Sequence, residues 1–130
     1  MYEMKEEYLT GIELIDLEHR RLFEITNETY ELLHEEFIPD KYDNIVKLIT
    51  ELKDYTIKHF ADEEAYMESI QYKRMFTQKM QHTQFVEKLN SLDLSQIDEN
   101  QDATIDDLLS FLADWLIHHI VENDKLIGQV

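Results

Sequence analysis

From Lys41 to Ser69 no glycine or proline interrupts the chain, and Ile45, Leu48, Ile49, Leu52, Tyr55, His59, Glu63, Tyr66 and Met67 follow one another in steps of three and four. That spacing lays one stripe along a helix. It predicts a long helix whose apolar face carries two ionisable groups. His59 and Glu63 are four residues apart, so their side chains reach toward the same point. A carboxylate buried on such a face needs a partner, and a metal ion shared with the imidazole is one.

The same test makes the rest of the chain helical. Only Gly11, Gly128 and Pro39 punctuate its 130 residues, far fewer than an all-β chain of this length uses. Residues 1–15 read as an acidic N-terminal arm whose Tyr8, Leu9, Ile12, Leu14 and Ile15 pack along a bundle. Asp16 is the expected cap of a first helix over about 16–36, with His19, Leu22, Phe23, Ile25, Tyr30, Leu32 and Leu33 inward and Pro39 beyond its end. The second helix covers about 41–69. Residues 70–74 form a tight connection with little turn chemistry to mark it. A third helix, about 75–90, turns Met75, Gln78, His82, Phe85, Val86 and Leu89 to one side. Residues 91–101 are polar and form the longest loop. Thr104-Ile105-Asp106-Asp107 is similar to a capping box and opens a fourth helix, about 103–123, with Ile105, Leu108, Leu109, Leu112, Leu116, His119 and Ile120 inward. The expected fold is all-α, one domain over residues 1–130: an up-down-up-down antiparallel four-helix bundle with an N-terminal arm.

Charge and composition exclude several classes of partner. With 29 acidic against 12 basic residues, a formal net charge of -17, the chain repels phosphate backbones and anionic lipid, so nucleic acid is not an expected partner. No apolar run approaches the ~20 residues of a membrane span, and the start, Met1-Tyr2-Glu3-Met4-Lys5-Glu6-Glu7, is acidic. Neither a membrane segment nor a signal peptide is expected, and a cytoplasmic protein is the default. The chain has no cysteine, so any metal rests on nitrogen and oxygen ligands.

Four of the six histidines, His19, His59, His82 and His119, fall on inward faces, one per helix. Antiparallel alternation brings all four to the same end of the bundle. A single inward histidine is more often a hydrogen-bonded core residue than a ligand; four converging with Glu63 and Asp124 make a site suited to iron, zinc or a similar divalent metal. Asp124 sets a condition. Five residues beyond His119 it lies about 140° around an ideal helix, so it joins the site only if the last turn loosens or if metals sit between the two side chains. His34 stays outside the set, as does His118, about 100° away from His119. Tyr55, Phe60, Tyr66, Phe85 and Trp115 read as packing residues.

Taken in order, Gly11-Ile12-Glu13-Leu14-Ile15-Asp16-Leu17-Glu18-His19-Arg20-Arg21-Leu22-Phe23, His59-Phe60-Ala61-Asp62-Glu63-Glu64, His82-Thr83-Gln84-Phe85 and Trp115-Leu116-Ile117-His118-His119 through Asp124-Lys125 resemble the bacterial members of the hemerythrin family. The resemblance spans residues 8–128. It implies two iron ions, one held by His19 and His59 and the other by His82 and His119, with Glu63, Asp124 and an oxo or hydroxo group as bridges. It also implies that dioxygen, or a related small diatomic or peroxide ligand, binds there for storage, delivery or sensing, in an apolar pocket that includes Leu116. One position departs from the family pattern, which has a further histidine four residues before His82 where this chain has Gln78. Gln78 can ligate through its amide oxygen, hold a water, or leave the position open. The last two arrangements favour a reactive site, so the alternative expectation is a di-iron oxidase or peroxidase, or an enzyme acting on nitric oxide. A third is an iron-buffering or purely structural bundle. Oxygen binding stands ahead of catalysis.

Overall fold

The computed structural model describes residues 5–35, 37–92 and 101–128, and among these every regular element is helical. A 3-10 turn at Glu6–Tyr8 precedes α1 (Glu13–Leu33), α2 (Tyr42–Ser69), α3 (Met75–Asn90) and α4 (Gln101–Trp115). α4 runs on into a π-helical segment, Leu116–Asp124, and a last turn, α5 (Lys125–Ile127). α1 packs against α2 and α4, and α2 against α3, as expected for a four-helix bundle. Between α3 and α4 the contact is aromatic: Phe85 lies 5.1 Å from Phe111 and 4.5 Å from Trp115, centroid to centroid. No helix among the described residues is long and apolar enough to cross a membrane.

The interior divides along the bundle axis. Leu22, Ile25 and Leu32 of α1, Ile45, Ile49 and Leu52 of α2, Phe85 and Leu89 of α3, and Ile105, Leu108 and Leu112 of α4 form one apolar cluster. They occupy the end where α1 and α3 finish and α2 and α4 begin. The buried histidines and acids occupy the other end. Phe60 separates the two zones, its ring stacked flat on His82 at 4.0 Å and edge-on to Phe85 at 5.6 Å. Buried hydroxyls of Thr26, Thr29 and Thr56 donate to the carbonyls of Leu22, Ile25 and Leu52, so the apolar zone carries no unpaired hydroxyl from them.

Two expected caps are corrected. α1 begins at Glu13 with Ile12 as its N-cap, so Asp16 lies inside the first turn. Its carboxylate still serves the chain entry, accepting from the Thr10 amide (2.8 Å), the Thr10 hydroxyl (2.8 Å) and the Gly11 amide (3.1 Å). Gly11 makes this turn at φ +86°, a left-handed conformation that costs glycine little. A side chain at Gly128 would place Cβ 1.7 Å from the Thr10 carbonyl oxygen, so both glycines of the chain serve the junction between arm and C-terminal turn. Tyr8 anchors the arm by stacking on Phe23 at 6.1 Å. Residues 1–4 of the expected arm lie outside the described residues. Thr104 does not cap α4, which is already helical at Gln101. The earlier start is tied down by Lys41: its amide donates to Gln101 Oε1 at 2.7 Å and its ammonium to Asp102 at 3.1 Å. α1 closes at Leu33, short of the expected end at Glu36, which lies outside the described residues, as do residues 93–100 of the expected loop.

The tight connection after α2 has its signal in backbone geometry. Gln71 sits at φ +53°, and the Tyr72 amide donates to the Met67 carbonyl at 2.9 Å. This is a Schellman closure with glutamine where glycine is usual. A residue with a Cβ in that conformation costs about 1–2 kcal/mol, partly offset by the greater chain entropy of glycine when unfolded. Gln71→Gly is therefore expected to stabilise the fold by about 1 kcal/mol, measured as a higher midpoint in urea; an unchanged or lower midpoint contradicts a strained Gln71.

Candidate metal centre

Each helix delivers its polar groups to one buried volume. α1 contributes His19, α2 His59 and Glu63, α3 Gln78 and His82, and the π segment His119 and Asp124. All seven are buried, none more than 3% exposed. His59 and Glu63 meet as the i, i+4 spacing predicts, with Nε2 and Oε1 2.6 Å apart. Glu63 Oε1 also lies 3.6 Å from His82 Nε2. Asp124 reaches both sides, Oδ2 being 3.1 Å from His19 Nε2 and Oδ1 3.1 Å from His119 Nε2.

The last pair depends on the π segment. In an α-helix residues five apart diverge by about 140°, whereas i→i+5 hydrogen bonding widens the turn and brings them onto one face. The loosened turn that Asp124 requires is therefore present from Leu116 to Asp124. Leu116, the first residue of the segment, is 2% exposed and belongs to the apolar cluster with Phe60 and Ile120.

These atoms form two donor groups. His19, His59, Glu63 and Asp124 make one, and Glu63, His82, His119 and Asp124 the other, with the ligand atoms of each within 4.8 Å of one another. Glu63 and Asp124 belong to both, so the geometry describes two adjacent cation positions spanned by two carboxylates. Fit to a cation is tested by what these atoms lack. Both oxygens of Glu63, Asp124 Oδ1, Gln78 Oε1 and the ε nitrogens of His59, His82 and His119 are buried with no hydrogen-bond partner among the described residues. A cation in each donor group supplies a partner to its carboxylate oxygens and imidazole nitrogens.

A second ring of residues fixes the imidazoles, and sequence reasoning missed it. His59 Nδ1 donates to Glu18 (2.9 Å), His82 Nδ1 to Glu64 (2.9 Å) and His119 Nδ1 to Gln81 (2.6 Å). Each acceptor is the sequence neighbour of a centre residue: Glu18 adjoins His19, Glu64 adjoins Glu63, Gln81 adjoins His82. Each steadies the histidine of the next helix, so α1 holds α2, α2 holds α3, and α3 holds the π segment. Because an ionised carboxylate or an amide oxygen only accepts, a proton sits on each Nδ1, which leaves Nε2 as the atom turned to the centre. The available signal was position: a polar residue one step from an inward ligand is rotated about 100° and faces the neighbouring helix.

Protonation follows from burial and these contacts. Burial works to raise Glu18, but hydrogen bonding with His59, Asp62 and Lys58 outweighs it and holds the pKa at about 2. Burial pushes Glu63 well above the usual carboxylate range, and the charge of Asp124 pushes the same way. Asp124 is also buried, yet His119 and His19 outweigh that cost and hold it far below its ordinary value. Burial, with the charge of His119, lowers His82 to about 3, keeping it neutral. Burial acts to lower His119, but Asp124 prevails and raises it. Without a cation, one carboxylate of the pair therefore keeps a proton, and it is Glu63.

A family described as "Hemerythrin HHE cation binding domain" matches residues 10–130. A bacteriohemerythrin of Clostridium acetobutylicum is 47% identical over 125 residues, covering 96% of this chain and 97% of that protein. A bacteriohemerythrin of Pseudomonas paraeruginosa is 34% identical over 115 residues, 88% of this chain and 71% of that protein. A myohemerythrin of Theromyzon tessulatum is 28% identical, covering 95% and 88% of the two chains. In fold, a crystal structure of a hemerythrin single-residue mutant superposes with a TM-score of 0.75 at 24% identity, covering 99% of this chain and 97% of that one.

Cation loading must displace protons from Glu63 and His119, both raised. Binding of divalent metal is thus expected to release protons and to weaken as pH falls, beginning at or above the ordinary histidine value of 6.5. In the same titration Glu18→Ala, which strips His59 of its acceptor, should weaken binding by about 10–100-fold at every pH. Unaltered affinity in that variant removes the supporting role assigned to Glu18.

Proposed function

The chain belongs to the hemerythrin family, and from that premise we propose that it is a non-haem di-iron protein that binds dioxygen reversibly, for storage, delivery or sensing. The observation that carries the reading is the pair of buried donor groups sharing Glu63 and Asp124. We assign His19 and His59 to one ion, His82 and His119 to the other, and the two carboxylates to both. When bound, the iron pair supplies two electrons to dioxygen and takes them back on its release.

The rest is the work of the chain. Glu18, Glu64 and Gln81 hold three imidazoles with Nε2 inward, so little reorganisation accompanies loading. Phe60, Leu116 and Ile120, each 4% exposed or less, exclude water and keep the site's dielectric low. Leu116 is assigned to the wall that shelters the bound gas. Glu63, holding a proton until the cation displaces it, ties loading to pH.

Gln78 supports a second reading. Its Oε1 is buried with no partner among the described residues, which supports assigning it as a neutral, weak donor to the second ion. A weakly held ion has a more exchangeable position, which favours turnover of peroxide or nitric oxide over simple carriage.

Anaerobic loading with ferrous iron should give two ions per chain, one for each donor group, and air should then produce a visible absorption band that disappears when oxygen is removed. Two bound ions without that band overturn the oxygen-binding function. Gln78→His decides the second reading: slower autoxidation and slower peroxide turnover are expected, and equal rates remove it.

A further inference from the structure

Between α3 and α4 lies a cavity of about 270 Å³. Phe85, Phe111 and Trp115 line its walls. The buried His119, with half-buried Gln81, lies at its inner end, and exposed Gln84 and His118 lie at the mouth. Nothing in the proposed function uses this space, which is far larger than a diatomic gas requires and of a size for one or two fused rings.

We propose that it is a binding site for a small, uncharged, planar carbonyl compound of the quinone type. The walls are aromatic and held rigid by stacking on one another, Phe85 with Phe111 at 5.1 Å and Trp115 with His119 at 4.5 Å, so they offer a ligand a flat apolar surface. The cavity lining contains no carboxylate, lysine or arginine, although the chain carries 29 acids and 12 bases. A net charge of -17 also disfavours an anionic ligand such as a phosphorylated ring. The polar groups that remain are donors seeking acceptors. Gln81 spends its oxygen on His119 Nδ1, which leaves its amide hydrogens, and Gln84 carries an amide as well. Ring carbonyl oxygens satisfy such donors; a purely hydrocarbon ligand does not.

Occupancy reaches the neighbouring centre through Gln81, which both lines the cavity and orients His119. That consequence rests on the proposed metal-ligand role of His119; binding itself does not, and can be measured on metal-free protein. Trp115 is the sole tryptophan, and no cysteine is present to react with a quinone.

The experiment titrates metal-free protein with naphthoquinone, following Trp115 fluorescence and the ring-current shift of the His119 imidazole resonances. Saturable quenching at one ligand per chain, with a concurrent His119 shift, is expected, and the charged naphthoquinone sulfonate should bind far more weakly. Phe111→Ala should weaken binding by about tenfold. Gln84→Glu, at the exposed mouth, should weaken it without touching the fold. Quenching that rises linearly, or binding that is the same in both variants, overturns the site. Iron-loaded protein should bind the quinone with an affinity different from metal-free protein; equal affinities overturn the link through Gln81. Loss of the oxygen-dependent absorption band, by contrast, would touch only the proposed gas-binding function.

Discussion

Two carboxylates and the ε nitrogens of several imidazoles share one buried volume, and the bundle is built around that expense. An unpaired buried polar group costs on the order of 1–3 kcal/mol; several together rival the ~5–15 kcal/mol by which a domain is stable. The metal-free chain lowers the cost by keeping a proton on Glu63 while Asp124 draws on His119 and His19. That arrangement leaves both Glu63 oxygens and several nitrogens unpaired. A pair of cations relieves them together, which is why the apolar half of the bundle, packed from Leu22 to Leu116, carries the fold while the polar half stays poised for ions.

What keeps the polar half from collapsing is a chain of support that passes from helix to helix. Glu18 on α1 accepts from His59 on α2, Glu64 on α2 from His82 on α3, and Gln81 on α3 from His119 on the π segment. Lys58 closes on Glu18 at 2.7 Å, so the first link is ionised and fixed. Three of the four imidazoles are oriented from the preceding helix, so displacing α1, α2 or α3 disturbs the histidine of the next. The stacking of Phe60 on His82 at 4.0 Å adds an apolar stop to the same ring.

Much of this was legible in the chain. The three-and-four spacing of Ile45 through Met67 specified α2 to within a residue, and the alternation of directions placed His19, His59, His82 and His119 at one end. The demand that Asp124 made on its helix, a turn wider than α, is met by the segment Leu116–Asp124. Other features were out of reach of periodicity. Asp16 and Thr104 look like caps because capping chemistry depends only on local residue type, whereas the actual helix starts were settled by contacts distant in sequence: Thr10 against Gly128, and Lys41 against Gln101 and Asp102. Gln71 gave no turn signal because its left-handed conformation is imposed by the closure of α2. Glu18, Glu64 and Gln81 were hidden among solvated acids and amides, distinguishable only by standing beside an inward residue and facing the next helix.

The two cation positions are not equivalent, and the inequality traces to α3. The histidines of the first group stand on α1 and α2, where Glu18 ionises fully behind His59. The second group relies on α3, where Glu64 backs His82 but a neutral amide, Gln81, backs His119, and where Gln78 stands one turn before His82. A carboxylate behind an imidazole strengthens it as a donor more than an amide does, so His119, backed by Gln81, is a poorer donor than His59, backed by Glu18, or His82, backed by Glu64. The aromatic cavity opens beside His119, with Gln81 as another of its lining residues. The histidine backed by an amide is thus also the one that lines the cavity, so Gln81 stands between that cavity and the buried donor groups.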